Sequence, residues 1–306
     1  MRTSWGELAV SDAHVHFFSH GFFSILAGQK QGLTIASMRE TLGWHMPPED
    51  PAELAALWDE ELTREGVGAA ALIASLPGDE GSVEAAVGAF PRRFHGMFLV
   101  NPLAQGAVDK TVEAVRRGRL RVPCLFPAMH RYSLHDLAVT QLLEKLAATT
   151  DPVVFVHCGV LSVGARKKLG LASPFDLRYS NPIDLHALAL RYGGIRFVIP
   201  HFGAGYFREA LMVADMCPNV YLDTSSSNGW MKYEGNLTLA GVFRRALEVV
   251  GARRLLFGTD SSYFPRGWNR AVFEAQQAAL SEIGVKAEDA AAIFSGNLEK
   301  LLGVKG

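Results

Sequence analysis

Cysteine is scarce in this chain: Cys124, Cys158 and Cys217 are the only three, and none falls in a CxxC spacing. An odd and sparse set argues against a disulfide framework and fits a reducing cytoplasm. Net charge is nearly absent as well, with 30 basic against 31 acidic residues and a formal charge of −1. That removes the electrostatic case for nucleic acid or a membrane surface as partner. No apolar run approaches the roughly 20 residues that span a bilayer. The opening MRTSWGELAV lacks the basic segment and following apolar stretch of a secretory signal. Also missing are a GxSxG elbow, a GxxxxGK[ST] phosphate loop and the third glycine that would extend Gly203-Ala204-Gly205 into a dinucleotide fingerprint. The expectation is a cytoplasmic protein whose partner is a small molecule.

What is present is apolar material in short pieces. Hydrophobic residues make up 49% of 306 positions, ample for a full core. The first apolar run, Leu8-Ala9-Val10, leads into His14-Val15-His16. Further strand candidates are Val67–Ile73, His95–Val100, Val122–Phe126, Val153–His157, Arg196–Ile199, Val220–Asp223 and Leu255–Gly258. Helical patterns separate them, from Glu53–Arg64 to Asn269–Ile283, and one more over Ala287–Leu302 closes the chain. Non-alternating apolar strands divided by helices mark a parallel sheet covered by helices. Eight such units point to a closed (β/α)8 barrel, one domain over residues 1–306, rather than an open doubly wound sheet.

Two connections exceed the usual short strand-to-helix loop: Phe17 to Pro51 after the first strand, and Cys158 to Asn181 after the fifth. Both emerge on the face where barrel active sites lie, as lid or pocket-wall candidates. Phe17, Phe18, Phe22, Phe23 and Trp44 in the first suit a hydrophobic wall, a contact in a homodimer, or a small core beneath the loop.

Five residues stand at or just past the carboxyl ends of these strands: His14, His16, His157, His201 and Asp260. His14 and His16 are spaced i, i+2, which places both side chains on one strand face, about 6.6 Å apart by strand rise. Asp12 shares that parity and is a candidate to orient a ligand imidazole. His157 ends a run of four apolar residues; His201 follows Pro200, before glycines that let backbone approach a ligand closely. Asp260 follows Gly258-Thr259. Each has a structural alternative: a satisfied core histidine, a helix cap, or an Asx-turn carboxylate. Together, four imidazoles and one carboxylate form a donor set suited to a divalent transition metal. Arg178, Arg208 and Arg266 fall on the same side, as candidates to hold a substrate carboxylate or as surface ion-pair formers.

The motifs DAHVH, VFVHCG, PHFG and LLFGTD, in this order, resemble the amidohydrolase superfamily and most closely its family 2 branch of metal-dependent hydrolases and non-oxidative decarboxylases. The resemblance runs from about Val10 to Leu302. It implies a TIM barrel with His14, His16, His157 and Asp260 as metal ligands. It also implies that His201 handles protons or polarises substrate beside the metal. Two-metal members carry a bridging lysine or glutamate on the fourth strand. Here that strand reads Arg121-Val122-Pro123-Cys124-Leu125-Phe126-Pro127, so one divalent ion is expected, zinc first and manganese second. Phe126 replaces a polar residue often found in this branch, and His130 or Arg131 is available to substitute in substrate binding.

The leading reading is a mononuclear hydrolase of a small amide, lactone or cyclic ester, with Asp260 and His201 as the catalytic pair. A decarboxylase of an aromatic or unsaturated acid uses the same residues. A silent barrel holding a ligand or a structural metal is the third reading.

Overall fold

The computed structural model describes residues 1–303; Val304, Lys305 and Gly306, the end of the expected 1–306 domain, lie outside the described residues. Its short apolar runs become strands because nearly every residue in them is buried, on one side by helices and on the other by the opposite wall. The strands are β1 (Ser11–His16), β2 (Ala69–Ala74), β3 (Phe94–Val100), β4 (Leu120–Leu125), β5 (Val153–Val156), β6 (Arg196–Ile199), β7 (Val220–Asp223) and β8 (Leu255–Leu256). Each pairs in parallel with the next along the chain. The ring closes where β1 meets the segment after β8: the Ala13 amide donates to Phe257 O at 2.8 Å, and the Asp260 amide to His14 O at 3.0 Å. This is the expected (β/α)8 TIM barrel.

Strand parity sorts the core into two layers. On β5, Val154 and Val156 face the helices while Val153 and Phe155 fill the barrel interior. The next inward position is His157. On β1 the register shifts between Asp12 and Val15, so that Ala13 lies in the interior layer and Val15 in the outer one.

The two long connections are not loops. Phe17 to Pro51 carries helices His20–Ala27 and Ile35–Leu42, and the stretch after β5 carries a short helix, Gly164–Lys168. Ser19 caps the first by accepting from the Phe22 amide at 3.0 Å. Thr34 and Ser37 form a capping box on the second, and Gly43 ends it at φ 67°. Phe22, Phe23, Leu26 and Met38 pack against Ala165, Leu169 and Leu171, a third small core roofing one side of the barrel mouth. Most of the aromatics that suggested a subunit contact are buried in it or in the main core. A two-stranded hairpin, Arg2–Thr3 with Gly6–Glu7, has too few residues to show a period in the sequence. Among the described residues, no helix is long and apolar enough to cross a membrane.

Candidate metal centre

The floor of the barrel mouth is built by β1. His14 and His16 project together into the interior, their ring centroids 5.1 Å apart. Each ring is held from behind. His14 Nδ1 lies 2.6 Å from Asp223 Oδ2, an acceptor at the end of β7, so Nδ1 carries the proton. Ser75 donates its hydroxyl to Ile73 O at 3.0 Å and therefore accepts from His16 Nδ1 at 2.7 Å. In the neutral rings both Nε2 atoms are thus left with lone pairs, 3.4 Å from one another. Asp260 Oδ1 joins them at 3.2 Å from His16 and 3.7 Å from His14. One ligand atom from each of the three lies within 4.8 Å of the others. Three acceptors this close repel one another unless a cation or shared protons sit among them, and a divalent ion fits the donor set.

Asp260 reaches this position from a left-handed backbone, φ 60°, and His201 from φ 55°. Strained residues of this kind are retained where the surroundings over-determine them. His201 opens the turn after β6, with its ring 4.9 Å from that of His14 and 5.4 Å from that of His157. Ser225 lies between two rings, its Oγ 3.0 Å from His14 Nδ1 and 2.9 Å from His201 Nδ1.

His157 stands apart from the tight trio. Its ring stacks on Phe126 at 4.8 Å, and its Nδ1 is buried with no hydrogen-bond partner among the described residues. An orphaned buried imidazole nitrogen is costly, and a metal ion is one group that would satisfy a ring in this position.

Burial opposes the charged forms here, and neighbours decide which prevail. Burial, and then competition from the adjacent His201 and His14 imidazoles for the same proton, holds the His157 pKa well below the usual histidine range. Burial and then His14 lower that of His201. Both rings are therefore neutral and able to ligate or to donate a hydrogen bond. For Asp260, burial works upward, but the hydrogen bond and charge of His16, with His14 and His201, outweigh it and hold the carboxyl below its usual range.

A cavity of about 860 Å³ opens above this floor. Among the described residues, Asp260 is the only carboxylate on its wall, against four cationic side chains, Arg166, Lys168, Lys232 and Arg266. Phe18, Trp44, Tyr263 and Trp230 supply much of the apolar lining. His130 also lines it, and burial lowers its pKa to about 4, leaving a neutral ring.

Several sequence expectations need correction. Arg178 is not on the cavity wall: it is exposed and hydrogen-bonded through Nε and Nη2 to Asp176. Arg208 is likewise exposed and tied to Glu209. Of the three arginines considered, Arg266 alone lines the cavity; Arg166, which the sequence did not single out, lines it as well. Asp12 does not orient an imidazole ring; the register shift turns it to the closing seam, where it accepts from the backbone amides of His14 and Thr259. The side chain that meets the ring of His14 at Nδ1 is Asp223. Gly203 does not serve ligand approach: a Cβ there would stand 2.8 Å from Ala210 Cβ, so it allows close chain packing. Asp223, Ser225 and Ser75 were missed because Asp and Ser at strand ends also serve as turn residues. Only the i, i+2 pattern Asp223-Thr224-Ser225 offered a signal.

A family model described as Amidohydrolase matches residues 11–304. The curated protein fluG of Emericella nidulans is 28% identical over 170 residues; the match covers 54% of this chain but 18% of that protein, so the chain accounts for under a fifth of its length. A zinc-bound amidohydrolase from Burkholderia multivorans superposes with TM-score 0.64 at 15% identity, over 97% of this chain and 100% of that one. A probable 2-pyrone-4,6-dicarboxylic acid hydrolase from Acinetobacter baumannii, with citric acid bound, gives 0.60 at 13%, over 97% and 100%. A 5-carboxyvanillate decarboxylase from Novosphingobium aromaticivorans, with manganese bound, gives 0.63 at 14%, over 97% of each. At these identities the structural likeness establishes the fold.

Proposed function

We propose, from the premise that this chain belongs to amidohydrolase family 2, that it is a mononuclear metal-dependent hydrolase of a small amide, lactone or cyclic ester bearing a carboxylate. The observation that carries this is the convergence of His14 Nε2, His16 Nε2 and Asp260 Oδ1 on one point at the floor of a cavity whose other charges are all positive. His157 is assigned as a further ligand on the strength of its inward position and orphaned nitrogen. These residues would hold a divalent ion, which would supply Lewis acidity and lower the pKa of a water toward neutral. Zinc is the first choice and manganese the second, the ions held by two structurally similar proteins. With neither lysine nor glutamate on β4, one ion per chain is assigned.

The chain's own residues do the rest. Asp260 takes a proton from the attacking water at its carboxylate and returns it to the leaving group. His201, its Nδ1 edge held by Ser225, hydrogen-bonds the oxygen on which charge develops. Arg266 and His130 contact the substrate's polar groups, and the aromatic wall excludes bulk water.

One observation favours a second reading. Phe126, which lines the cavity, stacks on His157 and, more distantly, on Phe155 at 6.1 Å, so the wall beside the metal centre is aromatic and apolar. That wall suits a planar aromatic acid, for which the same residues serve decarboxylation, with Asp260 protonating carbon as CO2 leaves. Metal analysis of the purified protein, then a screen of lactones, amides and hydroxybenzoates scored for acid release against CO2 release, separates the two. Protein with full metal but no turnover on any class would return the assignment to a silent barrel.

A further inference from the structure

We infer that Asp223 and Ser225, at the end of β7, are positioning residues that aim His14 and His201 into the metal centre. This rests on the metal-centre reading above and adds to it residues that are themselves neither ligands nor catalysts.

Asp223 and Ser225 are fully buried, 1% and 0% exposed. A carboxylate so deep in a barrel costs several kcal/mol unless its oxygens are satisfied. Both are: Oδ2 takes the His14 Nδ1 proton at 2.6 Å, and Oδ1 accepts the Ser225 amide at 2.6 Å. Among the described residues its only ion-pair partner is His14, so no arginine or lysine accounts for the carboxylate. An acceptor-only group on Nδ1 fixes the tautomer and leaves the Nε2 lone pair pointing at His16 and Asp260.

Strand alternation explains how one strand end serves two rings. Asp223 and Ser225 face inward, while Thr224 between them faces outward. Thr224 donates to Gln276 Oε1 at 2.6 Å, and Gln276 Nε2 returns a bond to Thr224 O at 2.9 Å. The backbone is thus clamped from outside while Ser225 Oγ reaches both His14 and His201 inside. Gly258 on the neighbouring strand end makes this possible. A Cβ there would stand 2.9 Å from Ser225 Cβ, 3.0 Å from His14 Cβ and 3.1 Å from Asp223 Oδ1.

The test is zinc affinity of the full chain, measured by competition with a chromophoric chelator, alongside the melting temperature of the metal-free protein. Asp223→Ala should weaken zinc binding by about 10–100-fold, with Asp223→Asn, which keeps an oxygen acceptor, falling between it and the parent. At a pH high enough to leave the His14 ring neutral, nitrogen-15 spectra of the metal-free protein should show a single Nδ1–H tautomer for His14, mixed in Asp223→Ala. Ser225→Ala should mix the tautomers of His201. A merely structural role would lower the melting temperature and leave zinc affinity and tautomers unmoved, and that result overturns the inference. If Asp223→Ala does not fold, Asp223→Asn carries the same comparison. If the unaltered protein binds no zinc, the metal-centre reading fails first; if it binds zinc and the Asp223 variants match it, only this inference fails.

Discussion

The Asp12 carboxylate accepts a hydrogen bond from the indole Nε1 of Trp268 at 2.7 Å, joining the first barrel strand to the loop beyond the eighth. The same group accepts from the amides of His14 and Thr259 at 2.9 and 3.1 Å and from the Thr259 hydroxyl at 2.5 Å. β8 contributes two ladder residues, so this side chain reinforces the few backbone hydrogen bonds that close the seam of the barrel. Burial, opposed by these hydrogen bonds, pushes its pKa up to about 6.

Removing that carboxylate strands several buried donors at once. Asp12→Ala should cost about 3 kcal/mol or more, the scale of more than one unsatisfied buried donor. Urea unfolding of the metal-free protein measures it. A loss below about 0.5 kcal/mol, the range of an ordinary surface change, would refute the seam assignment.

The paired histidines should separate metal binding from folding. His14→Ala and His16→Ala each remove one of few ligands, so both variants should fold and retain little metal after dialysis. Elemental analysis beside circular dichroism decides this. A full equivalent of metal in both would show the site to be elsewhere.

Asp260 and His201 should fail in different ways on whichever substrate the screen identifies. Asp260→Asn keeps an oxygen donor but loses basicity, and should abolish turnover while sparing much of the metal. His201→Asn should keep its metal and lose about 10²–10³ in kcat, the usual cost of one oxyanion donor. Unchanged kcat with a lowered melting point would reduce His201 to a structural turn residue.

His95, on β3 and 7% exposed, lies outside the metal centre. Burial, reinforced by the charge of Arg121, lowers its pKa to about 4. Because the folded-state value is depressed, the unfolded chain takes up a proton first as pH falls. The stability His95 allows is complete above about pH 6.5 and is lost as pH drops toward 4. Relative to His95→Gln, the parent should lose about 3 kcal/mol between pH 7 and pH 4, at about 1.4 kcal/mol for each pH unit over which only the unfolded chain's imidazole is protonated. Paired urea titrations at both pH values measure this, and parallel stability curves would contradict it.

Much of the barrel is legible along the chain because each strand is a local event. Arg196–Ile199 and Val220–Asp223 were bounded by their apolar content alone, and the i, i+2 spacing of His14 and His16 placed both on one face without knowledge of any partner strand. The helices after β1 were not legible. Their apolar residues point into a core shared with the loop after β5, so neither segment shows its pattern alone.

Residue type and spacing determined the strand–helix alternation, the inward pair on β1 and the donor set of imidazoles and carboxylate. These follow from backbone period and side-chain chemistry, which act over a few residues. Tertiary structure alone decided which arginine faces the cavity, that Asp12 holds the seam rather than a ring, and that Asp223 stands behind His14, 209 positions away. Those outcomes depend on register, closure and the parity shift on β1, which arise when strands meet and have no counterpart along the chain.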